Sequence, residues 1–165
     1  QLARAYAILG NGGYKIQPTI LRKKINPSEQ KIQIISSETS NTINSILRKV
    51  VANKEGTANF ANIKGYEVAG KTGSALKSKD GVYTKKKFNT FISLFPGSRP
   101  KYVLLVILDE PKPAPYFVYE FQNGYKHQGE NRNTAGWNTV VVAGKIIEKI
   151  GPILAINNLQ TSNKF

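Results

Sequence analysis

Cysteine and methionine are absent from these 165 residues, and histidine and tryptophan occur once each, as His127 and Trp137. Without cysteine there is no disulfide, no thiolate nucleophile and no cysteine-based metal site, and the redox compartment is left undetermined. A single histidine argues against a metal cage as well. Long apolar runs are missing too. The longest, Tyr102 to Leu108, is about a third of what a membrane span needs, and no segment reads as a signal peptide. No initiator methionine precedes Gln1, and the helical pattern of Leu2, Tyr6 and Leu9 has no N-cap before it. The chain is therefore expected to be a piece of a longer protein, with any signal or anchor before Gln1.

Acidic residues are scarce: 10 Asp and Glu face 24 Lys and Arg, a net charge of +14. Such an excess attracts polyanions and speeds encounters with acidic partners at low salt. The lysines are scattered, however, apart from Lys23-Lys24 and Lys85-Lys86-Lys87, and no zinc-ligand spacing or RNA-recognition aromatic motif accompanies them. The charge reads as a solvated basic surface, with nucleic acid disfavoured as a partner. An anionic membrane surface or cell wall nearby fits equally well. What is present is the composition of a folded domain, 40% hydrophobic and 21% charged, enough for one core of ordinary size.

The patterning alternates between helix and strand. Residues 1 to 9 read as a helix stopped by Gly10, with a turn at Asn11-Gly12-Gly13. Tyr14 to Ile25 reads as an irregular or edge strand because of Pro18, Asn26-Pro27-Ser28 as a turn, and Lys31 to Ile35 as a second short strand. Ile43, Ile46, Leu47, Val50 and Val51 lie on one face of a helix over 37 to 51, capped by Ser36 or Ser37. The run Tyr66 to Gly70 reads as a strand leading to Lys71. Asp80-Gly81 supplies the turn to a return strand through Phe88 to Phe95, and Lys101 to Asp109 completes an antiparallel meander. Pro111, Pro113 and Pro115 open a loop to about Asn131 that is expected to be mobile. A last helix, Asn133 to Ile150, carries Val140, Ala143, Ile147 and Ile150 on one stripe and is expected to stop at Gly151-Pro152. The fold class is α/β, a mostly antiparallel sheet flanked by helices. Helices 1 to 9 and 133 to 150 are expected against the sheet, with helix 37 to 51 on the other side of the site.

Lys71-Thr72-Gly73-Ser74 carries the chemistry. A strand fixes its side chains better than a loop does, so the motif hangs a cation and two hydroxyls along one extended edge, and glycines beside the lysine admit another backbone. That suits a peptide carboxylate. A competing pattern overlaps it: Gly65 to Thr72 satisfies the phosphate-loop string G-x-x-x-x-G-K-T, and Tyr102 to Leu108 followed by Asp109-Glu110 looks like the second strand of a nucleotide site. A phosphate loop needs a long helix after its Thr, aimed at the phosphates. Gly73 and Asp80-Gly81 leave no room for one, so a nucleotide-binding ATPase is only the alternative reading.

The text around the motif adds to this. Gln1 to Ala7 running into Asn11-Gly12-Gly13, Glu55-Gly56-Thr57-Ala58, Val68 to Ala75, Phe91 to Pro96 and Val106 to Pro111 resemble, in order, the C-terminal part of a class B penicillin-binding protein. The ending Thr134-Ala135-Gly136-Trp137-Asn138 with Val142-Ala143-Gly144 resembles the division-type transpeptidase. The resemblance implies that residues 1 to 165 are the C-terminal portion of one transpeptidase domain. Its parent would be a D,D-transpeptidase anchored on the periplasmic face of the inner membrane, cross-linking peptidoglycan stem peptides at D-Ala-D-Ala and acylated by β-lactam antibiotics. A septal glycosyltransferase and other divisome membrane proteins would be its partners, with no cofactor or metal. Lys71 would assist proton transfer and draw in the substrate carboxylate, Thr72 and Ser74 would offer that carboxylate hydroxyls beside Gly73, and the Ser74 N–H would form half of the oxyanion hole.

Such chemistry needs a nucleophile in an S-x-x-K motif at a helix start and an S-x-N motif. The S-x-x-K strings here begin at Ser28, Ser74 and Ser98, each in the wrong context, and no Ser-x-Asn occurs. The isolated chain is expected to be inactive. Trp137 reads as a packing anchor rather than a sugar platform. Asp109 and Glu110, adjacent on a strand, are expected on opposite faces and so not as an acid/base pair. Gly136 and Gly144 read as close packing on the sheet. Tyr83, in the loop beyond the binding strand, would border the substrate groove.

Overall fold

A computed structural model describes residues 1–21, 31–121 and 124–162, with side chains to residue 157. Helix α1 spans Leu2–Gly10 and helix α2 Ser37–Ala52. Between them Gly12 and Gly13 turn the chain at φ of +87° and +88°, and a Cβ on Gly13 would lie 2.0 Å from the Ile35 carbonyl oxygen, so only glycine fits there. The segment from Tyr14 is described only to Leu21. Among the described residues, both strands expected in this region reduce to one bridge, Tyr14 with Gln33. The expected turn at Asn26-Pro27-Ser28 lies outside the described residues. Ser36 caps α2, its Oγ accepting the Thr39 N–H at 3.1 Å, with Glu38 in the first turn where the helix dipole favours a negative charge. The buried stripe of α2 is Ser40, Asn44, Leu47 and Val51. It is rotated from the purely apolar face expected, so that Ile46 is exposed. Ser40 explains the rotation: its hydroxyl donates to the Leu9 carbonyl at 2.5 Å and ties α1 to α2.

The meander is as the patterning requires, in the order β1 (Ala69–Lys79), β2 (Val82–Phe95), β3 (Tyr102–Asp109). Asp80 and Gly81 both have positive φ, the two-residue turn whose twist suits a hairpin. Because β3 pairs only with Phe88 to Phe95, the tips of β1 and β2 project as a two-stranded ribbon. Side-chain alternation sorts the sheet into two faces. Phe91, Phe95, Tyr102, Leu104 and Val106 meet Val140, Ala143 and Ile147 of α3 (Thr139–Ser162), while Leu94, Ala69 and Val103 meet Leu47 and Ile43 of α2 and Tyr6 of α1. Helices thus cover both faces, and α2 packs on the sheet itself rather than across the site.

One other expectation is corrected by tertiary contact, and a second region gains an element. The helix α3 continues through Gly151-Pro152, because Tyr66 and Leu154 extend the core past that point and the Tyr66 ring lies where a Gly151 side chain would be. The stretch Pro111 to Asn131 holds a short hairpin, β4 (Val118–Glu120) with β5 (Lys126–Gln128). It is pinned by Tyr119, whose hydroxyl donates to the Trp137 carbonyl at 2.6 Å. No helix among the described residues is long and apolar enough to cross a membrane.

Candidate functional site

The K-T-G-S tetrapeptide stands near the start of β1 and not at the end of a strand. Tyr66 lies in a turn, Glu67 has φ of +46°, and the strand begins at Ala69. What fixes this start is Arg48 of α2, whose guanidinium donates to the Val68 carbonyl and to Asn62 Oδ1, both at 2.7 Å. β1 is an edge strand: Lys71, Thr72, Gly73 and Ser74 pair with Ile92, Phe91, Thr90 and Asn89 of β2, and no strand among the described residues pairs with the other side. Gly70 and Gly73 permit close approach of the two strands, since a Cβ at either would come within 2.5 Å of the Ile92 carbonyl or the Thr90 hydroxyl.

The three polar side chains divide between the two faces of this edge. Alternation puts Thr72 and Ser74 on the α3 face and Lys71 on the face covered by α1 and α2. Thr72 Oγ1 lies 3.1 Å from Thr57 Oγ1, and Ser74 Oγ accepts the backbone N–H of Ala135 at 2.9 Å. The exposed Lys71 ammonium donates to the Thr72 carbonyl at 3.0 Å, which marks that carbonyl as facing the open edge. In an antiparallel ladder a residue's N–H and C=O point the same way and alternate along the strand. By that rule the Ser74 N–H also faces the open edge. An extended ligand laid along β1 therefore meets outward backbone groups, an exposed cation on one flank and two hydroxyls on the other, the arrangement of strand addition at a sheet edge.

The remaining singled-out residues fall elsewhere. Tyr83 is on β2, paired with Ser78 and strongly exposed, seven residues along the ladder from Lys71 and so roughly 20 Å away at strand rise. Asp109 and Glu110 do not diverge as expected. Glu110, at φ of +51° past the strand end, turns back so that both carboxylates reach Lys77 Nζ, at 2.8 and 2.9 Å, and Lys86 adds a second cation at 2.9 Å. The hydrogen bonds from Lys77 and then Lys86 hold the Glu110 carboxyl below its usual range, and Asp109 and then Glu110 raise Lys77. This is an exposed ion cluster, not an acid/base pair. Trp137 is the packing anchor expected, with Phe60, Tyr119 and His127 rings within 5.5 Å and the Arg132 guanidinium 4.4 Å above it. Gly136 and Gly144 lie in different helical segments and admit the Thr57 and Phe60 carbonyls, so their close packing is against the segment that joins α2 to β1 and not the sheet.

After Thr72 the chain continues as strand to Lys79, so the helix that a phosphate loop requires is absent at that place. Ser74 and Lys77 are both on β1, and Ser98 donates to the Glu67 carboxylate outside any helix; Ser28 lies outside the described residues. Among the described residues no group of three or more His, Cys, Asp or Glu side chains could hold a metal. Thr57, Asn133 and Ala135, to which the sequence alone assigns no role, complete the site across 15 to 61 residues of chain. Only tertiary contact reveals them.

Comparisons with known proteins place the chain in a family. The chain is 38% identical over 128 residues to "Stage V sporulation protein D" of Bacillus subtilis, covering 71% of this chain and 20% of that protein. It is 30% identical over 167 residues to "Probable peptidoglycan D,D-transpeptidase FtsI" of Caulobacter vibrioides, covering 94% of this chain and 26% of that protein. It therefore spans about a quarter or less of these relatives. The transpeptidase domain of penicillin-binding protein 3 from Burkholderia pseudomallei superposes with a TM-score of 0.63 at 27% identity, over 90% of this chain and 41% of that one. Since the model of the penicillin binding protein transpeptidase domain matches residues 1–144, the chain belongs to that family, in its class B branch.

Proposed function

We propose that this chain is the substrate-binding part of a serine D,D-transpeptidase that cross-links peptidoglycan stem peptides and is acylated by β-lactams. The observation that carries the reading is the open edge of β1, where Lys71, Thr72 and Ser74 surround outward backbone groups. A D-Ala-D-Ala terminus is an extended peptide ending in a carboxylate. Laid along this edge, it would offer its carboxylate to Lys71, Thr72 and Ser74, and its scissile carbonyl oxygen to the Ser74 N–H. A pre-aimed donor of that kind stabilises the tetrahedral intermediate of acyl transfer by about 3–4 kcal/mol. The nucleophilic serine, its lysine and the S-x-N motif would come from another segment of the same polypeptide, and the 165-residue chain alone would be inactive. A periplasmic site anchored in the inner membrane, a role in division, and a septal glycosyltransferase with other divisome proteins as partners follow from the family resemblance.

The test is labelling with fluorescent penicillin, read on a denaturing gel, of the complete protein, its Lys71→Ala variant and the 165-residue chain. Expected are strong labelling of the first, labelling reduced about 10²-fold or more for the variant, as for loss of a proton-transfer group, and none of the chain alone. A folded, unlabelled complete protein refutes the reading.

A further inference from the structure

The hydroxyl of Ser74 is held by a donor, and this decides what it can offer. A serine hydroxyl has one proton and two lone pairs. The Ala135 N–H occupies a lone pair at 2.9 Å, which leaves the Ser74 proton free to donate away from the protein. A carboxylate only accepts, so an outward O–H is what it needs.

Ala135 keeps its place through Asn133. The Asn133 side chain accepts from Asn89 Nδ2 at 3.3 Å and from Asn138 Nδ2 at 3.1 Å, and donates from its own Nδ2 to the Pro111 carbonyl at 2.5 Å. Its main-chain carbonyl accepts from Lys87 Nζ at 2.8 Å. Asn89 is fully buried and is the cross-strand partner of Ser74. Asn133 therefore joins β2, the segment after β3 and the start of α3 in one network, two residues before the amide that holds Ser74. Asn89 Oδ1 is buried without a partner among the described residues, so the bond from its Nδ2 to Asn133 is what ties this side chain to the network.

We infer that Asn133 is a positioning residue: through the Ala135 amide it keeps the Ser74 hydroxyl turned outward as a donor to the ligand carboxylate. This rests on the transpeptidase reading. The experiment uses the complete protein and two probes, benzylpenicillin and its methyl ester, in which the carboxylate is blocked, and compares their acylation rates as a ratio. Asn133→Ala is expected to lower the ratio about tenfold by slowing the acid alone, the worth of one hydrogen bond to a charged group. In a Ser74→Ala background it should lower the ratio no further. Asn133→Asp, which keeps the acceptor toward Asn89 and Asn138 but loses the donor to Pro111, should fall between; if the alanine variant does not fold, the same comparisons are read from Asn133→Asp. Equal slowing of both probes, or an effect undiminished by Ser74→Ala, overturns the inference while leaving the transpeptidase reading intact. Failure of the wild-type protein to react with either probe overturns both.

Discussion

Replacing Gly70 by alanine tests fold and site together. A Cβ there would lie 2.5 Å from the Ile92 carbonyl oxygen and 2.8 and 2.9 Å from two carbons of the Phe91 ring, against 3.4–4 Å for ordinary contact. The ring could tilt, but the carbonyl is main chain within the β1–β2 ladder, so relief requires β1 to move off β2 by roughly 1 Å in an interior that is close-packed. Overpacking of this kind costs about 1–3 kcal/mol. At about 2–4 °C per kcal/mol for a domain of this size, the melting temperature should fall by roughly 2–12 °C. Lys71 follows directly, and a 1 Å misplacement of a reacting group can cost about 10²-fold in rate. Gly81→Ala is the control: nothing lies within 4 Å of its Cβ, and φ of +79° exacts only the left-handed penalty of about 1–2 kcal/mol at the far end of the hairpin. Circular-dichroism melts and penicillin acylation of the complete protein should therefore show G81A losing stability alone and G70A losing both. A G70A protein that melts and acylates like wild type would refute the close approach of the strands at the site.

Two further outcomes are expected. Phe91→Ala removes a fully buried ring between the sheet and α3 and should cost about 3–5 kcal/mol in urea denaturation; a loss below about 1 kcal/mol would mean that α3 does not pack there. The ion cluster predicts a pH dependence. Since Lys77 and Lys86 hold Glu110 below 4.5, its contribution is full above that pH and lost as pH falls through the depressed value; the raised Lys77 contributes below 10.5 and is lost as pH rises through its own value. Lys77→Ala should flatten the acid limb of the melting profile, as should about 1 M salt, since the groups are exposed and screened; an unchanged acid limb would dissolve the cluster.

Local chemistry made much of this molecule legible in one dimension. The Asp80-Gly81 turn and the apolar runs Phe91 to Phe95 and Tyr102 to Leu108 specify a meander, because turn conformation and short strand-length apolar runs are properties of a few neighbouring residues. Ser36 and the stripe ending in Val51 likewise specify α2, and Lys71 to Ser74 stands out because glycines beside a lysine in extended chain admit another backbone. Structure departs from local pattern where distant groups intervene. The turn of α2 that buries Ser40 is set by the Leu9 carbonyl 31 residues earlier, and the passage of α3 through Gly151-Pro152 by Tyr66. The convergence of Asp109 and Glu110 on Lys77 depends on the register of three strands.

The site divides in the same way. Its cation, its hydroxyls and the strand that carries them belong to the sequence itself, since each is a choice of residue type and local conformation. That β1 is an edge, that Lys71 and the hydroxyls lie on opposite flanks, and that Ser74 is held by Ala135 belong to the tertiary structure. Strand order and hydrogen bonds across 61 residues of chain depend on which surfaces bury one another, and no window of sequence contains both partners.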